Sequence, residues 1–160
     1  MAAGDGSGGG GLIFATEDWR DMQAEAMPLV GRHWAEVALD RDKIPLALNV
    51  ALYDVLAGAG VMHVTTARVD GALVGYLWAM VQAHLHFSTT MTAFVDLIFL
   101  DKPYRRGRSG QRLIEAAELA LTARGVAQIL MGTKAEPNLG PLFKRMGYVP
   151  HETSYSKMIG

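Results

Sequence analysis

The chain contains no cysteine, which excludes disulfide bonds, thiolate metal sites and a cysteine nucleophile. An excess of one charge is also missing: the formal net charge at pH 7 is −1, which provides no general attraction for nucleic acid or for an anionic membrane. No apolar run approaches the length of a membrane span, and the run at residues 94–100 is interrupted by Asp96. Any affinity for an anion must therefore come from a local group of basic residues.

The remaining composition is that of an ordinary globular domain. Hydrophobic residues make up 50% of the 160 residues and charged residues 19%, which is typical of a chain with a packed core. Residues 1–11 are rich in glycine and predict a flexible tail, so we expect residues 12–160 to form a single domain. The first residues lack the basic start and apolar stretch of a signal peptide, and a cytoplasmic protein is the simplest expectation.

Hydrophobic periodicity predicts alternating strands and helices along this domain. Strands are predicted at residues 12–15, 61–69, 73–81, 93–100, 129–131 and 152–159, with a polar break at 88–90, and helices are predicted to begin near Trp19, Leu46, Gly110 and Leu139. Hairpins early in the chain and a β–α–β crossover later indicate a mixed α/β fold, with a mostly antiparallel central sheet and flanking helices.

The segment with the clearest chemical content is a basic loop between a strand and a helix. The apolar strand ends at Leu100, and an amphipathic helix begins at Gly110. Free backbone N–H groups and the positive end of the helix dipole meet in such a loop, so a pyrophosphate is its natural ligand. Its residues are Arg105, Arg106, Gly107, Arg108, Ser109 and Gly110. The spacing fits neither a P-loop nor a dinucleotide fingerprint, and a basic turn that only caps the helix is the alternative.

This 105–110 loop resembles the coenzyme A loop of GNAT acetyltransferases, whose pattern is Q/R-x-x-G-x-G/A. Arg105 matches the first position and Gly110 the last, whereas Arg108 replaces the middle glycine. The hairpin sequence at residues 69–76 and the helix with a Gly-aromatic ending at residues 142–148 are also similar to this family. Residues 104–110 and 155–157 look most like GNAT proteins encoded by tailed phages and prophages.

The resemblance implies an N-acetyltransferase that transfers an acetyl group directly from acetyl-coenzyme A, its co-substrate, to a primary amine without a metal. The pantetheine arm would lie along Ile98, Phe99 and Leu100, and a backbone N–H near Leu100 would polarise the acetyl carbonyl. The acceptor would be a small molecule or a protein, with no nucleic acid or membrane partner, and a homodimer is left open. A catalytically weak module that binds acyl-coenzyme A or a partner protein is the alternative.

Two further residues are placed near the coenzyme by the resemblance. Asn138 would contact the pantetheine arm, and its alternative is a helix N-cap. Phe143 stands where many family members have the tyrosine that protonates the leaving thiolate. Phenylalanine cannot donate that proton, but a thiol with a pKa of about 8.5 can leave without an acid.

Asp96 is the first candidate for catalysis because it is the only charge in its apolar run. On a regular strand it shares a face with Ile98 and Leu100. A partly buried carboxylate there suits removal of a proton from a substrate ammonium through a water molecule. A structural Asp bonded to neighbouring backbone is the alternative.

His84, His86 and Tyr155 are the other candidates. His84 and His86 alternate along a strand and suit a base or a substrate ligand, although polar residues at a strand end are the plainer interpretation. Together with His63 they are also the basis of a rival hypothesis, a metal-dependent enzyme. Tyr155 is a substitute acid, with core packing as its alternative. Glu36 falls in the early helices that wall the acceptor site in GNAT enzymes.

Overall fold

The computed structural model describes residues 11–159, so the predicted tail lies almost entirely outside the described residues. The helices and strands within that range follow one another in the predicted order up to the last strand. They are β1 (Ile13–Thr16), α1 (Trp19–Val37), α2 (Val50–Gly58), β2 (Met62–Val69), β3 (Ala72–His84), β4 (Phe87–Leu100), a 3-10 turn (Lys102–Tyr104), α3 (Ser109–Ala123), β5 (Gln128–Met131) and α4 (Gly140–Arg145).

The sheet has the order β1-β2-β3-β4-β5. The first four strands pair antiparallel, and β5 pairs parallel to β4 after the crossover through α3. Asp70 and Gly71 form the β2–β3 turn with positive φ values of 49° and 82°, as a two-residue hairpin turn requires. The prediction of a mixed α/β fold with a mostly antiparallel sheet is confirmed.

Helices cover both faces of this sheet, and alternate residues of β3 serve the two resulting cores. Leu77 and Ala79 pack in a cluster with α3 and with Phe143 of α4. Tyr76 and Trp78 pack in a second cluster with α1 and with residues of α2. Because β3 is buried on both sides, its sequence is nearly continuously apolar rather than alternating.

Two sequence-based predictions of strand boundaries are wrong. Residues 88–90 do not break the strand, because β4 begins at Phe87 and the turn lies at residues 85–86. Threonines suit an exposed strand, which explains why a polar stretch is tolerated there.

Residues 149–159 form no regular structure, and Tyr155 and Ile159 are 93% and 92% exposed. The sequence predicts a strand at residues 152–159, but this segment has no buried face against which to pack.

The β3–β4 hairpin is longer than its neighbours. β2 pairs with β3 only from Met62 opposite Met80, and β5 pairs with β4 only from Thr92 onwards. The tip of the hairpin therefore projects beyond the rest of the sheet and exposes Leu85 and Phe87. None of the helices within residues 11–159 is long and apolar enough to cross a membrane.

Candidate active site

An opening separates the second half of β4 from β5. The two strands pair from Thr92–Gln128 to Val95–Met131, and within the described residues no strand pairs with residues 96–100 on that side. An unpaired strand edge offers main-chain N–H and C=O groups to an extended ligand, which can bind there as an added strand. Ile98, Phe99 and Leu100, the residues predicted to line the pantetheine arm, all lie along this β4–β5 opening.

A β-bulge places Asp96 at the inner end of the opening. Leu97 pairs with Trp78 and Val95 pairs with Ala79, so Asp96 is the extra residue of β4. It follows directly after the last β4–β5 pair. Bulges re-aim a side chain locally, and they often occur next to active sites.

The bulge overturns two expectations about Asp96. Ile98 and Leu100 pack in the core on the α3 side, whereas Asp96 lies on the α1/α2 side near Tyr53. Burial raises the pKa of the Tyr53 hydroxyl, and the negative charge of Asp96 adds to that effect. Asp96 is exposed rather than partly buried. Its carboxylate is thus open to solvent and to a bound substrate.

The 105–110 loop presents free main-chain donors at the start of α3. Gly107 has a φ of 54°, in the left-handed region that favours glycine, which explains why the glycine stands at 107 rather than at 108. Arg108 occupies the N-cap position and its side chain makes no capping hydrogen bond. Within residues 11–159, the N–H groups of Gly107, Arg108, Gly110 and Gln111 have no backbone acceptor. These donors and the helix dipole together suit an anion.

The arginines of this loop have different environments. Arg105 donates two hydrogen bonds to Glu36, at 2.6 and 2.9 Å, and its Nε donates to the Leu100 carbonyl at 2.5 Å. Arg108 reaches along α3 to Glu115 at 3.2 Å. The side chain of Arg106 makes no hydrogen bond or ion pair among the described residues. Arg106 is therefore the cation of the loop most accessible to an anionic ligand, while Arg105 connects the loop to α1.

A buried histidine that the sequence did not single out lies beside this connection. His33 Nδ1 is 2.9 Å from the hydroxyl of Tyr76, and its ring stacks on Phe99 at 4.7 Å. Burial lowers the pKa of His33 to about 4, so the imidazole is neutral at pH 7. The hydrogen bonds from Arg105 lower the pKa of Glu36, which is ionised. The only sequence signal was that His33 and Glu36 are three residues apart on one helix face.

The predicted residues His84 and His86 lie together at the far end of the same sheet face. Their rings are 5.6 Å apart, and His84 Nδ1 accepts the backbone N–H of His86 at 3.1 Å. They help to line an open cleft of about 440 Å³, together with Met80, Gln82, Leu85 and Phe94. His63 does not join them, because it is buried beside Thr65 on the α3 side, where it pairs with Ala79. Residues 11–159 contain no group of three His, Asp or Glu residues suited to a metal ion.

Among the remaining candidates, Asn138 contacts the start of α4 and Phe143 packs in the core, whereas Tyr155 is exposed. The Asn138 side chain accepts the N–H of Gly140 at 2.8 Å, which secures the start of α4, while Leu139 holds the N-cap position itself. Phe143 is buried in the α3-side core, with its ring 5.8 Å from that of Tyr148. Tyr155 is neither in a core nor on a strand, so the core-packing alternative for it is wrong.

Comparison with known proteins agrees with this fold. The chain matches the acetyltransferase (GNAT) domain over residues 46–158. The chain therefore belongs to the GNAT acetyltransferase family, and it is an acyltransferase by class. No curated protein matches its sequence. The assignment to a phage subgroup stays a prediction.

Solved structures share the fold at low sequence identity. A ribosomal-protein-alanine N-acetyltransferase from Brucella melitensis biovar Abortus 2308 is 20% identical with a TM-score of 0.70, covering 94% of this chain and all of its own. An aminoglycoside acetyltransferase from an uncultured soil metagenomic sample is 14% identical with a TM-score of 0.72, covering 93% of this chain and 97% of its own. An aminoglycoside N-acetyltransferase in complex with CoA is 15% identical with a TM-score of 0.71, covering 97% and 98%.

Proposed function

We propose that this protein is an N-acetyltransferase that transfers the acetyl group of acetyl-coenzyme A to a primary amine. The observation that carries the proposal is the position of Asp96. A carboxylate stands on a bulge at the inner end of an unpaired strand edge, and a helix start with free backbone N–H groups lies at the outer end. Asp96 and Leu100 are four positions apart on β4, a span of about 13 Å at 3.3 Å per residue. An extended thioester chain anchored at the loop would reach the carboxylate along this edge.

The coenzyme would be held mainly by the main chain. The N–H groups of Gly107, Arg108, Gly110 and Gln111 would receive the pyrophosphate, with Arg106 adding its charge. The pantetheine arm would hydrogen-bond to the free edge of β4. The CoA complex of the aminoglycoside N-acetyltransferase, which shares the fold, supports the choice of ligand.

The reaction is a direct transfer in which the amine must first lose a proton. A water molecule bound to Asp96 takes that proton from the substrate ammonium, and the amine nitrogen then attacks the acetyl carbonyl carbon. The carbon–sulfur bond breaks, coenzyme A leaves as a thiolate, and the nitrogen releases its second proton to solvent as the neutral amide forms. Phe143 is buried and cannot donate a proton, and we propose that the thiolate leaves without an acid. A backbone N–H near Leu100 would stabilise the oxyanion.

The first experiment measures coenzyme binding and turnover on the full chain. Acetyl-coenzyme A should raise the melting temperature with increasing concentration, because ligand binding stabilises the folded state. Free thiol should then be released when primary amines are added, and the acetylated amine should appear in equal amount by mass spectrometry. Coenzyme binding without thiol release for any primary amine would instead support the binding module. No binding at all would contradict the proposed site.

A further inference from the structure

The open cleft on the β3–β4 hairpin lies on the same sheet face as Asp96. We call it the hairpin cleft, and its lining residues are Met80, Gln82, His84, Leu85, His86 and Phe94. Its volume of about 440 Å³ is within the usual range for small-molecule sites. Met80 and Phe94 are direct cross-strand partners, so their side chains lie next to each other at its base.

The hairpin cleft lies next to Asp96, the proposed catalytic carboxylate. Phe94 precedes Asp96 by two residues on β4, a separation of about 7 Å along a strand. On the other side, the ring of His84 is 6.1 Å from the ring of Phe94 and nearly parallel to it. Tyr53, Asp96, Phe94 and His84 therefore follow one another across one face.

The charges along this row suit a ligand with one positive group. Asp96 offers a carboxylate at one end, and no Asp, Glu, Lys or Arg lines the hairpin cleft. Met80 and Phe94 offer a thioether and an aromatic face, which both pack favourably against an aromatic ring. A polyamine would bring further ammonium groups into the cleft without a carboxylate to pair with them.

The far end of the hairpin cleft offers a hydrogen-bond donor. His84 Nδ1 accepts the N–H of His86, so Nε2 of this ring carries a proton. That N–H suits a ring hydroxyl or another polar group on the distal side of a ligand. The site therefore favours a molecule with an ammonium at one end and an aromatic body.

We propose that the hairpin cleft is the acceptor subsite and that the acceptor is an arylalkylamine, with one primary amine joined to an aromatic ring by a short carbon chain. This inference rests on the proposed function. The ammonium loses one proton to the water at Asp96, and the free amine nitrogen then forms a bond to the acetyl carbon as the carbon–sulfur bond breaks. A second proton leaves the nitrogen for solvent as the amide forms. The products are a neutral N-aryl-alkyl acetamide and coenzyme A.

The test compares kcat/KM for amines that differ in one feature, with acetyl-coenzyme A saturating. The probes are 2-phenylethylamine, ethylamine, spermidine, kanamycin and a short peptide with an N-terminal alanine. Burial of the phenyl ring should make 2-phenylethylamine roughly 10- to 100-fold better than ethylamine. It should also exceed the other three probes.

Substitutions of Phe94 test whether the phenyl ring of the acceptor binds in the hairpin cleft. Phe94→Ala should lower kcat/KM for 2-phenylethylamine by roughly 10-fold or more and lower kcat/KM for ethylamine by a much smaller factor, since the phenyl ring loses its apolar contact and ethylamine has no ring to lose. Leu119→Ala is the control, because Leu119 is also a large apolar residue, is 76% exposed on α3 and lies outside the cleft lining. If Phe94→Ala does not fold, Phe94→Leu can be used, because it keeps an apolar side chain. It should lower the ratio of kcat/KM for 2-phenylethylamine to kcat/KM for ethylamine by a smaller factor.

The outcomes separate this inference from the proposed function. A preference for spermidine, kanamycin or the peptide would overturn the arylalkylamine inference while leaving N-acetyl transfer in place. Equal kcat/KM for 2-phenylethylamine and ethylamine, or an unchanged ratio in both Phe94 variants, would overturn it as well. No acetylation of any amine would overturn both.

Discussion

Glu36 and Arg105, which are 69 residues apart in sequence, form a two-pronged ion pair with N–O distances of 2.6 and 2.9 Å. Arg105 also donates to the carbonyl of Leu100, and its guanidinium lies 5.1 Å from the ring centre of Phe99. This connection links the α1 helix, the end of β4 and the 105–110 loop to one another. We therefore propose that Arg105 positions the loop, and its direct contact with the pyrophosphate, predicted from the sequence, stays a prediction.

Glu36→Gln should destabilise the protein at neutral pH by about 1 kcal/mol, because it removes the charge that Arg105 faces. Arg105 lowers the pKa of Glu36 below its usual 4.5, so the pair adds stability above that value and loses it as the pH falls through the lower folded-state pKa. The difference between wild type and variant should therefore shrink below pH 4.5. Urea unfolding at pH 7 and pH 3 measures it, and an undiminished difference at pH 3 would contradict the ionic account.

Arg106→Ala should weaken coenzyme binding without weakening the fold. The side chain is exposed and has no hydrogen-bond partner among the described residues, so the free energy of unfolding should change by less than about 0.5 kcal/mol. The dissociation constant for coenzyme A should rise roughly 3- to 10-fold and depend less on salt. Lys43→Ala, which removes an exposed cation from the α1–α2 connection, is the control. Equal effects of the two variants on binding would mean that only the net charge matters.

Gly110→Asp should abolish measurable coenzyme binding while the protein still folds. A Cβ at Gly110 would meet only Leu142 Cδ2, at 3.9 Å, so the helix start has room for a side chain. The carboxylate would occupy the place of the pyrophosphate and repel it, although acidic residues are otherwise favourable at helix starts. Gly110→Ala is the control for the loss of glycine alone. Calorimetric titration checks the binding, and normal affinity in Gly110→Asp would show that the pyrophosphate lies elsewhere.

The sequence predicted the strand, basic loop and helix because their signals are local. Alternating or apolar residues mark β4, glycine and arginine mark the loop, and helical periodicity marks α3. The connection between Glu36 and Arg105 has no such signal, because it depends on the packing of α1 against the sheet. The bulge at Asp96 was equally hidden, since one extra residue in a strand changes the face of a side chain without changing the composition.

The free energy of unfolding should fall as the pH drops from about 6.5 towards 4, because His33 and His63 are buried and neutral. Burial lowers the pKa of each to about 4 from 6.5, so the unfolded chain binds protons first in this window. Each imidazole contributes a slope of at most about 1.4 kcal/mol per pH unit. His63→Gln keeps a donor for Thr65 but cannot titrate, and it should reduce the slope by up to half. A slope unchanged by this variant would contradict the assignment to His63.

The C-terminal segment shows where sequence periodicity fails. The sequence predicts a closing strand at residues 152–159, but Tyr155 and Ile159 are almost fully exposed. An alternating pattern becomes a strand only when a partner edge and a core accept its apolar side, and local sequence does not report whether they do. The same limit explains why His33 and Tyr76, which form a buried pair across 43 residues, were not recognised.

We propose that Asp96 removes the proton of the acceptor amine through its bound water, and Asp96→Asn tests this role most directly. Asparagine is nearly isosteric but cannot accept the proton. We expect the rate constant for acetyl transfer to fall roughly 10²- to 10⁴-fold at pH 7, with coenzyme affinity unchanged, as for loss of a general base. The loss should shrink at high pH, where more of the amine is already deprotonated.

The measurement is a single-turnover rate of acetyl transfer from pH 6 to pH 10 for wild type and Asp96→Asn, with folding checked by circular dichroism. Our account predicts two curves that are far apart at neutral pH and approach each other as the pH rises. A rate equal to wild type at pH 7, or a loss that stays constant across the range, would contradict it and remove Asp96 from the mechanism.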